Sequence, residues 1–350
     1  YKVRTETGIV GYISKNAINL ENNEEDSEND TILDNKMYEN KVVMFWQYGS
    51  NVKTLGNKID GVNVVSPTWY ELKNSSGDII SEYSKEYYDK AKANGYEIWP
   101  IVTNGIDNAD YSSKDTSDLM NSETSREKFI KNMLKIAQDN KLDGINIDFE
   151  AMKTDDKKLY TQFIRELCPI FRKYGIKVSV DMYFVAYMER GEIGKAADYV
   201  ILMGYDQRGN WSSEEGSISE ISWVEKNVTS LIEDSKINPS KIILGVPFYT
   251  RLWIRNNANN TLTTKVYSMK NCDEFIKSNS LTKKMDEASG QNYVECTKGN
   301  TEYKLWIEDG DSIKNRVNII NKFKLAGISG WQKGLETEDI WSVINSNIEK

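Results

Sequence analysis

Residues 142–150 read LDGINIDFE. In an extended chain successive side chains alternate between faces, so Asn146, Asp148 and Glu150 share one side and Ile145, Ile147 and Phe149 the other. The apolar side suits a layer of helices. The acidic side is costly to enclose, because buried charge is penalised unless paired, and segments that break a local rule in this way tend to be functional sites. An edge strand with a solvated acidic face is the competing reading. Gly144 at the start, the β-branched Ile145 and Ile147, and Glu150 at the C-terminal end, where parallel-sheet enzymes gather their chemistry, favour catalysis.

Outward from this stretch the pattern repeats. Apolar runs of strand length occur at 41–48, 60–70, 96–104, 142–150, 177–184, 198–206, 241–253 and 326–334. Amphipathic helical stretches separate most of them, at 84–94, 125–140, 155–174, 219–234 and 312–325. Asn94-Gly95 and Tyr174-Gly175 have the form of helix C-caps. Strands alternating with helices in this number predict an α/β chain folded as a (β/α)8 TIM barrel. The alternative, a doubly wound open sheet, lacks a GxGxxG or GxxxxGK loop to support it.

Between Trp253 and Trp306 the alternation is interrupted by a helix candidate at 271–278 and a hairpin candidate, YVECTKGNTEYKLW, turning at Lys298-Gly299-Asn300. This predicts a small α+β insertion, about 254–306, between strands seven and eight on the side where the site is expected. At the other end, residues 1–20 hold two β-prone runs, YKVRT and IVGYI, separated by ETG, which read as a hairpin. Residues 21–40 form an acidic linker, and the barrel occupies 41–350.

The chain of 350 residues carries a formal net charge of -8. That balance argues against a broad phosphate-binding surface, so neither nucleic acid nor an anionic membrane is expected as a partner. No apolar run reaches transmembrane length and no signal peptide is read on this chain. Cys168, Cys272 and Cys296 are far apart and odd in number, so a disulfide framework is not expected. Histidine is absent. This removes Ser-His-Asp and Cys-His triads and the usual zinc sites, and leaves Asp, Glu, Tyr and Lys as acid or base groups. No metal, no cofactor and a monomeric state are expected.

DGINIDFE resembles the DGxDxDxE strand-four signature of glycoside hydrolase family 18, the chitinase-like barrels. Met203-Gly204-Tyr205-Asp206 resembles that family's M-x-Y-D at strand six, Gly245 to Tyr249 with Arg251 its strand seven, and Trp331 in GISGW its strand-eight tryptophan. Asn146 departs from the pattern. NxDxE, together with PFYTRLW and LWIEDGDSI, is similar to the spore-cortex and cell-wall branch of the family, and residues 8–13, GIVGYI, resemble the final hairpin of a bacterial SH3-like module.

The resemblance implies a mechanism in which the substrate's 2-acetamido oxygen is the nucleophile. Glu150 would then protonate the leaving oxygen and activate water, which calls for a pKa raised toward neutrality. Asp148 would bind the acetamide N–H and stabilise developing positive charge. Tyr205 would support the acetamido carbonyl, Asp206 would line the rim and Trp331 would lie under a sugar ring. From the residues themselves, Asp181 and Tyr183 share the inward face of strand five with Ser179, and Arg251 is a candidate partner for a carboxylate or a sugar. Trp46, Trp69, Trp99, Trp211 and Trp306 sit at or beyond strand ends; Trp46 and Trp99 are expected at the substrate, as is Asn146, and roughly half of the five in the core.

The leading expectation is a retaining endo-β-N-acetylglucosaminidase acting on an N-acetylglucosamine-containing polysaccharide, peptidoglycan or spore cortex, outside the cytoplasm at the cell wall or spore. A chitinase and a non-hydrolytic glycan-binding protein are the alternatives.

Overall fold

Gly144–Asp148 is a strand, and its two faces part as the alternation requires. A computed structural model describes residues 2–4, 10–12, 40–105, 113–150 and 152–349. Phe149, just past the strand, stacks on Phe163 at 5.7 Å and on Tyr160 at 6.3 Å, and meets Phe129 edge-on. These rings belong to the flanking helices Glu123–Asp139 and Lys157–Arg172. Enclosing such rings supplies much of the packing energy that fixes a strand against its helices.

The barrel strands are β1 (Val42–Gln47), β2 (Val64–Leu72), β3 (Ile101–Thr103), β4 (Gly144–Asp148), β5 (Lys177–Met182), β6 (Tyr199–Met203), β7 (Ile242–Pro247) and β8 (Gly327–Trp331). Their order is β1-β8-β7-β6-β5-β4-β3-β2, with β1 paired back to β2. Parallel ladders join β2 to β3, β3 to β4, β4 to β5, β7 to β8 and β8 to β1. This is the (β/α)8 TIM barrel expected from the alternation. Two compact units divide the described chain: Val52–Leu55 with Ser66–Val200, and Asn40–Asn51, Gly56–Val65 and Ile201–Lys350.

Helix starts follow local capping chemistry. Ser122 accepts a hydrogen bond from the Ser125 amide, so the helix expected from 125 begins at Glu123. Helix Gly310–Phe323 opens on a capping box of Asp309 and Ser312 and closes on Lys324 in the left-handed region, φ 54°. Helices Ser113–Asn121, Arg190–Ala196 and Ile340–Asn347 were not expected. They are short, seven to nine residues, which is too little sequence for a clear helical period.

The insertion starts earlier than its expected boundary. The run 241–253 is two strands: β7 ends at Pro247, and Tyr249–Asn256 belongs to a separate antiparallel sheet. Strand order in that sheet is Thr261–Ser268, Tyr249–Asn256, Thr301–Ile307, Gln291–Lys298, Lys284–Asp286. Helix Met269–Ser278 packs on it over a core of Leu252, Cys272, Val294, Leu305 and Ile307. The anticipated hairpin is present, with Lys298 opposite Thr301 and Gly299 at φ 58° in the turn. At the N-terminus Lys2–Arg4 pairs antiparallel with Val10–Tyr12. The turn between them and the acidic linker to residue 39 lie outside the described residues.

Candidate active site

In the first unit, β4 delivers Asp148 as its last residue and Glu150 two residues beyond. Asp148 is 8 % exposed; Glu150 is half-buried. The Glu150 amide donates to Asn104 Oδ1 at 3.2 Å, and Asn104, fully buried just past β3, is itself held by Thr116 Oγ1 at 3.1 Å. Tyr187, in the segment after β5, feels both carboxylates: burial raises its phenol above the ordinary range, and the charges of Glu150 and Asp148 push the same way. Tyr183 is half-buried just beyond β5.

Asn146 and Asp181 do not stand where a sugar would meet them. Asn146 is fully buried and donates through Nδ2 to Asp181 Oδ1 at 2.8 Å, and Asp181 is only 3 % exposed. Both expected substrate contacts are therefore corrected to a cross-strand pair beneath Asp148. Trp99 is corrected too. It is 0 % exposed, donates to Glu97 Oε2 at 2.8 Å, stacks on Tyr199 at 5.5 Å, and lies so close to Gly144 that a Cβ there would be 2.7 Å from its ring. Gly144 begins β4, so Trp99 packs at the strand end opposite Asp148.

In the second unit, Tyr205 and Asp206 follow β6 directly. Tyr205 is 4 % exposed, its ring edge-on to Tyr249 at 6.1 Å. Asp206 adopts φ 55°, a left-handed conformation that asparagine and aspartate accept best among residues with a Cβ. It is held there by the Tyr249 hydroxyl, which donates to Oδ1 at 2.7 Å, with Arg251 NH2 at 3.9 Å. Burial raises the Asp206 carboxyl above its usual range, while Tyr249 and Arg251 pull it back. Arg251 Nε is buried with no hydrogen-bond partner among the described residues, and its guanidinium lies 5.8 Å from the ring of Trp211, which is 65 % exposed.

Trp331 ends β8, and a cis peptide joins it to Gln332. Trp46 meets it edge-on at 5.9 Å and Tyr48 lies at 6.1 Å. Trp46 is 1 % exposed, so it props Trp331 and is corrected from a direct substrate contact to a supporting one. Gly245 makes room for it: a Cβ there would meet the Trp46 ring at 2.9 Å. Of the other tryptophans, Trp69 is core, donating to the Val52 carbonyl at 3.0 Å, and Trp306 donates to Asp286 Oδ2 at 2.8 Å within the inserted sheet.

A buried polar network stands behind β6. Arg316 pairs with Glu308 at 2.8 Å and donates to the Ser219 carbonyl at 2.8 Å, and Ser219 Oγ donates to the Gly204 carbonyl at 2.5 Å, one residue before Tyr205. Glu308 also accepts from Gln291 and Ser312, each at 2.7 Å.

The model of the glycosyl hydrolases family 18 matches residues 9–336. The chain belongs to glycosyl hydrolases family 18. It is a glycosidase by that membership. Among curated proteins it is 25 % identical to the uncharacterized glycosylase YvbX of Bacillus subtilis (strain 168), over 77 % of this chain and 80 % of that one. It is 24 % identical to the cortical fragment-lytic enzyme of the same organism, over 70 % of this chain but only 58 % of the relative's length. Among solved structures, a chitinase from Chromobacterium violaceum ATCC 12472 superposes with a TM-score of 0.77 at 18 % identity, covering 89 % of this chain and 99 % of that one. That likeness shows the shared fold.

Sequence reasoning missed Asn104, Tyr187 and Tyr249 as parts of the site. Asn104 and Tyr187 lie in connecting segments, where no periodicity assigns a direction. Tyr249 was in view only as part of a strand that proved to be two.

Proposed function

We propose that this family 18 glycosidase is a retaining endo-β-N-acetylglucosaminidase that cuts β-1,4 bonds after N-acetylglucosamine in bacterial peptidoglycan or spore cortex. The observation that supports it most is a buried Asp148 at the end of β4 with a half-buried Glu150 two residues beyond, the Glu150 backbone being anchored by Asn104. Glu150 gives its proton to the glycosidic oxygen as the C1–O bond breaks. The 2-acetamido oxygen closes onto C1 from the opposite side, and Asp148 accepts the hydrogen bond of the amide N–H as that nitrogen gains positive charge. Glu150, now a carboxylate, takes a proton from water, which opens the ring at C1 and restores the β configuration. The Tyr205 hydroxyl donates to the acetamido oxygen, which fixes its approach.

Trp331, propped by Trp46, serves as an apolar platform for a sugar ring. Asp206 and Arg251 bond sugar hydroxyls. Tyr183 adds a contact at the end of β5. The substrate class rests on the NxDxE form of strand four and on the likeness to the cortical fragment-lytic enzyme. On this reading the protein acts outside the cytoplasm, at the wall or spore. Isolated vegetative peptidoglycan, spore cortex and chitin oligomers, digested side by side and analysed by mass, test the reading. Muropeptides ending in a reducing N-acetylglucosamine support it. Cleavage of chitin alone makes the protein a chitinase, and binding without any cleavage makes it a glycan-binding member of the family.

A further inference from the structure

Three carboxyl groups occupy one interior in the first unit, and the chemistry above uses two of them. Asn146 pairs in register with Ser179 and Ile147 with Val180, so Asp181 on β5 stands level with Asp148 on β4. Neighbouring strands lie about 4.8 Å apart. Asp148, Asp181 and the intervening Asn146 are 8 %, 3 % and 0 % exposed.

Among the described residues nothing cationic compensates Asp181. The groups that act on it are Asn146 and Glu150. From helix Lys157–Arg172 it faces Tyr160, which is fully buried and whose hydroxyl has no hydrogen-bond partner among the described residues; Tyr187, after β5, faces Glu150 and Asp148. Among the described residues no lysine or arginine forms an ion pair with Asp181, and no cluster of acidic side chains there could hold a metal. An uncompensated buried anion costs several kcal/mol, and a carboxyl in that position keeps its proton instead.

We propose that Asp181 is a positioning residue that acts as a neutral carboxylic acid, accepting the Asn146 amide so that Asn146 forms a fixed, uncharged floor under Asp148. This rests on the proposed hydrolase reading. A third negative charge beside Asp148 and Glu150 would oppose the ionisation that Asp148 needs to stabilise positive charge. Withholding that charge is the function of the proton on Asp181. An amide at 146 suits this pair, because it donates to Asp181 and cannot compete for the proton. Burial pushes the Asp181 carboxyl well above the usual carboxylate range and the nearby Glu150 charge pushes it further, against the Asn146 hydrogen bond.

Two readouts test this. Infrared spectra of the substrate-free protein near neutral pH should contain a protonated-carboxyl band that Asp181→Asn removes; a wild-type protein without that band overturns the proposal. This arm stands even if no glycan is cleaved, in which case the hydrolase reading fails separately. In turnover, Asp181→Asn should lose about threefold in kcat at the pH optimum, whereas Asp181→Ala, which frees Asn146, should lose about a hundredfold. Asn146→Asp should cost about tenfold or more through like-charge repulsion, and Asn146→Asp with Asp181→Asn should recover most of it by exchanging acid and amide. Equal losses in Asp181→Asn and Asp181→Ala, or no recovery in the double variant, overturn it.

Discussion

Arg316→Met breaks the buried Arg316–Glu308 pair behind β6. Methionine keeps an unbranched apolar stem but removes the pair with Glu308 and the donors to the carbonyls of Ser219 and Ser312. Both members of the pair are buried, at 1 % and 0 % side-chain exposure. Glu308 keeps Gln291 and Ser312 as donors. In the wild-type protein burial pushes the Glu308 carboxyl up to about 7, against the pull of Arg316 and Ser312. An unfolded glutamate titrates near about 4.3, so the folded chain holds a proton that the unfolded chain has released. Stability therefore falls as pH rises from about 4.3 to about 7, by on the order of 3 kcal/mol. Without Arg316 the carboxyl titrates higher still, and the decline continues at pH values where the wild type is level. At pH 5 the variant's cost is that of the orphaned carbonyl acceptors, about 1–3 kcal/mol. At pH 8 the variant still holds the proton that the wild type has released, which adds about 1.4 kcal/mol and brings the cost to about 2–4 kcal/mol. Urea denaturation at the two pH values measures both. A cost below about 1 kcal/mol at each pH, or one that does not grow with pH, would refute the reasoning. Because Ser219 links this pair to Gly204, kcat should fall as well, with KM less affected.

Other substitutions separate roles that sequence alone confuses. Tyr249→Phe removes the hydroxyl that holds Asp206 in its left-handed conformation; it should cost about 1 kcal/mol in stability and raise KM severalfold, read from thermal melts and initial rates. Trp99→Ala should destabilise by about 3–5 kcal/mol while leaving KM of the residual folded enzyme within about twofold, since it fills the core and touches no substrate. Trp331→Ala should do the reverse, raising KM by about tenfold or more with a smaller loss of stability, as the half-buried ring proposed to carry a sugar is removed.

Much of the barrel was legible because its strands are apolar runs of the right length and its helices carry a helical period. The alternation in β4 was enough to separate Asp148 and Glu150 from Phe149. It failed where one apolar run covered two strands: PFYTRLW stays buried on both sides of Phe248, so hydrophobicity gives no sign that β7 ends at Pro247 and the inserted sheet starts at Tyr249. Trp99 was misplaced for a related reason. It falls between Glu97–Ile98 and β3, next to Pro100, where the two-residue period restarts and cannot assign an end or a face. The Asn146–Asp181 pair depends on how β4 and β5 are registered, and that is a property of the fold and not of either strand read alone. Trp46 looked like a sugar contact because tryptophan suits both fates; only the room left by Gly245 shows that it lies beneath Trp331.

Glu150 as the single proton donor and base of a substrate-assisted cleavage is tested most directly by its own replacement. Glu150→Gln keeps the size of the side chain and the Asn104 contact to its backbone but cannot give up a proton. Release of reducing N-acetylglucosamine ends from purified peptidoglycan and cortex, with folding confirmed by an unchanged melting temperature, is the measurement. A loss of about 10²-fold or more is expected. Activity retained within a few fold in the folded variant would contradict it.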